Sequence, residues 1–494
     1  MKKAKIICLI LAALTVISFA SCASENVQSD VTTPSAQAEN SDPTATTTEG
    51  EKYDSNGYLL DDIPADLKLN TTLKVLYWED VENVEFFVEE ESGDPIKDAI
   101  YYRNMRVEER LGVGFDWHGT PGDFSDREAF VVTATNAKNN GDDYDIYAAY
   151  SMTTALLAHK GLCRDLRKLD GIDFSKPWWP EKLIEEGTIY NKLFFASGDL
   201  STNMLYMMYT IFFNADLMNQ YGIDSLYTLV DNNEWTYEKM FEMSKVVADT
   251  GSAGSTDKIY AFCTTSDVHL DPFYFGAGLR ILERDADGTP VVSPDYNSVT
   301  AADVSEMVRE YLHRDYCTYT DKENLFVNDQ CFFHINRARY ASANLGSVTF
   351  TFGVLPTPKY SADQENFVTI LGFPYTLYAV STSSEQPDKA AWALECLCSE
   401  GYRTITPALF ELSMKIRYSS DNDASRMFQL IRDNISFDVG RIFTSSLNNI
   451  PYSTFRAAVK LTTASDYSRQ AKAGESRMKN MVRDLLGGLA QYDN

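Results

Sequence analysis

Positive charge is what this chain has little of: 44 Lys and Arg stand against 71 Asp and Glu, for a net −27 over 494 residues. Such a surface repels phosphate backbones and anionic bilayers, which excludes nucleic acid as a partner. The short motifs that carry chemistry are also missing. There is no GxSxG elbow, no HExxH pair and no phosphate loop, and no Cys/His set has zinc spacing. A glycosidase needs only two carboxylates about 5–10 Å apart, which 71 acids can always supply, but nothing marks a pair. The chain therefore reads as a non-enzyme with neither cofactor nor metal.

No apolar run reaches the roughly 20 residues of a spanning helix. Residues 1–21 carry Lys2, Lys3 and Lys5, then an uncharged apolar run over 6–19, then small residues, the pattern of an export signal. Phe19-Ala20-Ser21-Cys22 resembles the lipobox of bacterial lipoproteins, with Phe where Leu is usual. That resemblance implies a lipidated Cys22 and a protein anchored at the outer face of the cell membrane, stably where two or more acyl chains are attached. Residues 22–70 are rich in Ser, Thr, Ala, Asp and Glu and read as a disordered stalk. A flexible coil of that length reaches roughly 35–40 Å.

About 420 residues remain, enough for two domains. Aromatics make up 13% of the chain, with 29 tyrosines, a residue that lines polar ligand sites as readily as it fills cores. Six of the eight cysteines lie beyond residue 22 without a small-domain disulfide spacing, so they read as buried thiols. Cys396 and Cys398 would point to different helix faces. From residue 73 the pattern alternates: strands over 73–78, 113–117 and 144–149, helices over 95–111, 127–139 and 152–160. This order predicts a largely parallel sheet covered by helices, with ligands beyond the carboxyl ends of the strands. Two buried strands, 193–196 and 211–213, flank a turn at Gly198, Asp199 and Ser201, and residues 209–214 read as the first crossing between two lobes. Beyond it come a helix opened at Thr236, a strand over 259–264, a loop over 271–279, and a hairpin around Asp285-Ala286-Asp287-Gly288, favoured over a calcium loop because the later ligands are absent. Strands follow over 331–335 and 350–355, a second crossing over 368–380, and helices to the end.

An ordered series of weak motifs then becomes specific: Tyr144-Asp145-Ile146, Lys160-Gly161-Leu162, Pro177-Trp178-Trp179, Phe213-Asn214, Trp235-Thr236 and Phe352-Gly353-Val354-Leu355-Pro356-Thr357-Pro358-Lys359-Tyr360. With the lipobox and acidic stalk, this series resembles the extracellular solute-binding lipoproteins of bacterial ABC importers, in the group that includes maltose-binding protein. The resemblance implies an α/β, two-lobed periplasmic-binding-protein-like fold, two Rossmann-like lobes on a multi-strand hinge. The lobes would be 71–211 with 366–403, and 212–365 with 404–494. It further implies a monomer that closes on a sugar or oligosaccharide and is read by permease subunits. A receptor for peptides or another small solute, or a surface adhesin or hydrolase, stays open.

Sugar capture needs aromatic faces beside polar groups. Trp78 with Glu79, Tyr150 with Ser151, and Tyr274 with Phe275 beside Asp271 supply that mixture at loop positions, Trp78 as an exposed aromatic. By position along the family pattern, Tyr206 and Met207, Arg337 and Arg339, and Gly372 with Phe373 would also face the cleft. Asp199 and Trp235 complete the candidate set, against the plainer readings of backbone satisfaction at the hinge for Asp199 and packing for Trp235. Trp178 and Trp179 read as lobe packing.

Overall fold

The computed structural model describes residues 52–251, 258–417, 422–464 and 466–492. The export signal, Cys22 and most of the expected stalk lie outside them. Among the described residues no helix is long and apolar enough to cross a membrane.

One lobe is built on β1 (Thr71–Trp78), β2 (Val113–Thr120), β3 (Ile146–Tyr150) and a late strand, Thr376–Val380, in the order late strand, β3, β1, β2. β1 runs parallel to β2 and β3, and the late strand is antiparallel to β3. All five residues of β3 are buried, as a strand covered by helices on both faces requires. The helix Pro95–Leu111 follows its sequence signals: the Asp94 carboxylate accepts from the N–H of Ile96 and Lys97, Pro95 sits in the first turn, and Gly112 at φ +58° ends it. Its buried stripe is Ile96, Ile100, Val107 and Leu111.

The second sheet has β4 (Tyr209–Asn214), β5 (Tyr260–Cys263), β8 (Cys317–Thr318), β9 (Cys331–Arg337) and β10 (Phe352–Leu355), after a separate hairpin of β6 (Leu282–Arg284) and β7 (Pro290–Val292); the late strand of the first lobe is β11. Its order is β10, β4, β9, β5, β8. The β6–β7 turn is closed by the Asp285 carboxylate accepting from Asp287 N and Thr289 N, the hairpin that the sequence favoured. Asn214 caps the helix that follows β4.

Residues 209–214 are thus a central strand of the second sheet and not the crossing itself. The chain passes between sheets just before it, where Met208 pairs with Leu371, Gly372 N donates to Met207 O at 2.7 Å, and Tyr209 N donates to Ile370 O at 3.1 Å. Residues 193–196 form no ladder of their own. Ala196 makes one antiparallel bridge to Tyr378 at the edge of β11. Residues 271–279, read as a loop, begin with a short helix, Asp271–Gly276.

Residues 52–70 also differ from a stalk. Ile63 and Leu69 are buried, and the Asp61 carboxylate is held by Arg110 at 2.5 Å and by Arg403 at 3.3 Å. Few and irregularly spaced apolar residues gave no period to read, yet they suffice to dock the segment. All six cysteines beyond residue 22 are free thiols, five of them buried.

Candidate ligand cleft

The carboxyl ends of β1, β2 and β3 in one lobe face the ends of β9 and β5 in the other. After β1 comes an acidic loop, and Glu82 from it reaches across: its carboxylate meets Arg337 Nη1 at 3.2 Å and Arg339 Nη1 at 3.0 Å, the first at the end of the β9 ladder and the second two residues beyond it. Asn83 Oδ1 accepts from Arg339 Nε at 2.9 Å, and Asn83 Nδ2 donates to Asn203 Oδ1 at 2.7 Å. Glu85 turns inward instead. It is buried and accepts from the side chain of Asn203 at 2.5 Å and from the Tyr378 hydroxyl at 3.1 Å, fixing the loop to the crossing segment and to β11.

Deeper in, β3 runs straight into the helix Ser151–His159. The Ser151 hydroxyl donates to Phe373 O at 2.7 Å, tying that helix start to the return crossing. Trp78 and Tyr150 pack edge to face at 5.4 Å. Burial pushes the Tyr150 hydroxyl well above the usual tyrosine range, while the charges of Arg441 and then Arg337 pull it back. Phe373 lies under the Arg441 guanidinium at 3.8 Å and beside the Tyr452 ring at 5.8 Å.

Arg441 and Arg456 come from the C-terminal helices and converge on Asp271. Its carboxylate accepts from Arg441 Nη1 at 2.8 Å and from Arg456 Nε at 2.6 Å and Nη2 at 2.7 Å. Burial alone would raise Asp271; the two guanidinium groups more than offset that and hold it below the carboxylate range. His269, ring to ring with Tyr209 at 5.7 Å, is kept neutral by burial first and by Arg337 next, and its Nδ1 has no hydrogen-bond partner. On the first lobe, Asp80, Asp123 and Asp126 bring carboxylate oxygens within 4.8 Å of one another, with Asp80 already accepting from the N–H of Gly122 and Asp123.

No protein-family model and no curated protein matches the sequence. Solved structures do. The cyclic alpha-maltosyl-1,6-maltose binding protein of Arthrobacter globiformis aligns over 83% of this chain and 99% of its own, at 13% identity and a TM-score of 0.58. The maltose-binding periplasmic protein of Listeria monocytogenes, in complex with maltose, aligns over 86% and 99%, at 13% identity and 0.53. UgpB from Mycobacterium tuberculosis, in complex with glycerophosphocholine, aligns over 79% and 97%, at 13% and 0.54. The chain has the two-lobed solute-binding-protein fold.

Within that fold the sequence candidates scatter. Tyr150, Ser151, Arg337, Gly372 and Phe373 come together where the two lobes meet, and a Cβ on Gly372 would stand 2.6 Å from Arg337 Cδ, so the crossing must be bare there. Glu79 is exposed at the end of β1, and Met207 lies against Arg337, its sulfur 3.4 Å from Nη1. Trp78 is only 1% exposed and its Nε1 donates to Thr376 Oγ1 at 3.0 Å, so it is a wall buried behind Tyr150 and not an exposed ring; β1 ends at residue 78 as expected, and its last residue takes the buried side of the pleat. Trp235 is fully buried, donating to Pro356 O at 2.9 Å and packed on Phe333. Tyr274 is core, against Phe455 and Tyr467, whereas Phe275 faces Arg441 at 5.4 Å. Tyr206 is buried in the crossing segment.

Asp199 lines a different pocket of about 280 Å³ with Trp178, Ser201, Met204 and Arg432. Burial pushes its carboxyl up to about 6 against the pull of Arg432 and the Thr406 hydroxyl. Trp178 and Trp179 both donate their indole N–H to Glu395, a packing role.

Sequence reasoning missed Glu82, Asn83, His269, Tyr452, Arg441 and Arg456. Extending the strand-end rule from Glu79 through the following loop would have reached Glu82. No local signal marks the two C-terminal arginines, because only the fold brings them to Asp271.

Proposed function

We propose that this protein captures a sugar or oligosaccharide in the interlobe cleft and hands it to the permease of an ABC importer, as an extracytoplasmic monomer held to the membrane by acyl chains on Cys22. Tyr150, Ser151, Arg337, Gly372 and Phe373 are its proposed ligand contacts, with Arg441 and Tyr452 added. The observation that carries the reading is the cleft itself, where aromatic rings and charged side chains from both lobes face one another beside paired crossings. A solute favours closure of such a hinge only through contacts with both lobes, and this arrangement supplies them. The neighbours that share the fold include receptors solved with maltose and with glycerophosphocholine, which supports capture of a polar, hydroxyl-rich solute.

A thermal-shift screen of the full chain tests it, with mono- and oligosaccharides set against peptides and amino acids. A ligand at 100 times its dissociation constant adds about 2.7 kcal/mol to the folded form. Shifts confined to one sugar class support the proposal, and shifts confined to peptides replace it with a peptide receptor.

A further inference from the structure

Arg441 and Arg456 share one buried carboxylate. Both residues are at least nine-tenths buried, and Asp271 is the acid each is paired with. The nearby Asp267 is engaged by Lys460 at 2.6 Å. Four guanidinium groups, Arg441 and Arg456 on Asp271 and Arg337 and Arg339 on Glu82, are thus paired with two carboxylates where the lobes meet, in a molecule whose net charge is −27; the buried Asp438 that caps the Arg441 helix is opposed by Arg280 at 4.0 Å. A buried charge without a counter-charge is costly, and retaining one needs a reason.

Two further groups face the same place with hydrogen-bonding capacity unspent. Tyr150 is 4% exposed, and its hydroxyl makes no hydrogen bond to the described residues; the charges that act on it most are Arg441 and Arg337, ahead of Asp123 on its own lobe. His269 is 3% exposed with Nδ1 unpartnered, and Arg337 and Arg456 are the arginines that act on it. Arg337 in turn already holds a carboxylate, that of Glu82, at the cleft edge. Guanidinium and hydroxyl donors with surplus positive charge match an oxyanion better than a neutral hydroxyl.

We infer that the solute carries an oxyanion, a carboxylate or a phosphate on a sugar body, seated among Tyr150, His269, Arg337 and Arg441. This rests on the sugar-capture reading and narrows it to acidic sugars. The phenol and guanidinium donate to the anion, the surplus positive charge is offset, and Phe373 and Tyr452 take the apolar face of the ring.

Titration calorimetry on the full chain separates the cases, using size-matched probes: a hexuronate oligomer, a sugar phosphate and the neutral oligosaccharide. At 50 mM NaCl an acidic probe binds at least about tenfold more tightly than its neutral counterpart, and which acid wins assigns carboxylate or phosphate. Arg337→Gln weakens the acidic probe by roughly 10–100-fold and the neutral one, which it also contacts, by at least tenfold less than that, while Arg337→Lys falls between. Unchanged melting of the two variants shows that the loss is not unfolding. Equal or tighter binding of the neutral oligosaccharide overturns the charge inference and leaves sugar capture standing. Binding by peptides with none by any sugar overturns both.

Discussion

At the scale of single residues, Trp78 separates position along the chain from role. As a loop aromatic it would stack on a ligand and matter little to the fold. Buried to 1%, with its indole N–H engaged by Thr376 and its ring against Tyr150, it holds up the wall on which the cleft is built. Trp78→Ala removes a large buried side chain and leaves a cavity, which costs about 3–5 kcal/mol. Urea denaturation should show that loss in the absence of any ligand. A variant as stable as the parent would mean the ring is not load-carrying in the core. The same limit explains which candidates were legible. Tyr150, Ser151, Arg337 and Phe373 could be placed because each adjoins a strand end or a crossing that hydrophobic pattern reveals. Arg441, Arg456 and Tyr452 could not, since each sits on a helix whose own periodicity says only which face is buried.

Elements that dock without regular structure were the harder reading. The alternating strands and helices of residues 71–159 were visible within two or three residues at each end, because long apolar periods fix them. Residues 52–70 carry only a few apolar contacts and one ionic knot, Asp61 with Arg110, Arg403 and Ser399. Burial pushes the Asp61 carboxyl up, but those hydrogen bonds and charges outweigh it and bring it down to about 2. A folded-state value below the unfolded one, about 3.9, stabilises the fold above the unfolded value and loses that stabilisation as pH falls toward 2. Asp61→Asn should therefore cost about 2 kcal/mol at pH 7, with the gap to the parent closing between pH 4 and 2. A gap that stays constant with pH would show that the carboxylate is not what ties this segment down. The loop after β1 is the second such element. Glu82 links two arginines of the opposite lobe, each pair partly exposed and worth about 0.2–1 kcal/mol. Glu82→Gln should shift the ligand-free population toward open lobes by a few-fold, seen as broader interlobe distances between spin labels, and 1 M NaCl should do the same to the parent. Identical distance distributions at low salt would remove Glu82 as a closing contact.

Over the whole molecule, two electrostatic effects of opposite sign act on the same solute. The net charge of −27 is spread over the entire chain, and at low salt its field extends about 30 Å, so an acidic solute is repelled on approach. Inside the cleft, Arg337, Arg441 and the Tyr150 hydroxyl act at contact distance, where added salt screens much less. An acidic sugar should then associate faster as NaCl rises from 10 to 150 mM, because screening shortens the reach of the repulsive field to about 8 Å. Its dissociation should quicken far less over the same range, because the ionic contacts that hold it act at contact distance in a buried site. A neutral sugar should show neither trend. Stopped-flow tryptophan fluorescence reads both rates, since Trp78 lies directly behind Tyr150. An association rate that falls with salt would mean that the local charge of the cleft, and not the charge of the whole surface, governs how the solute arrives.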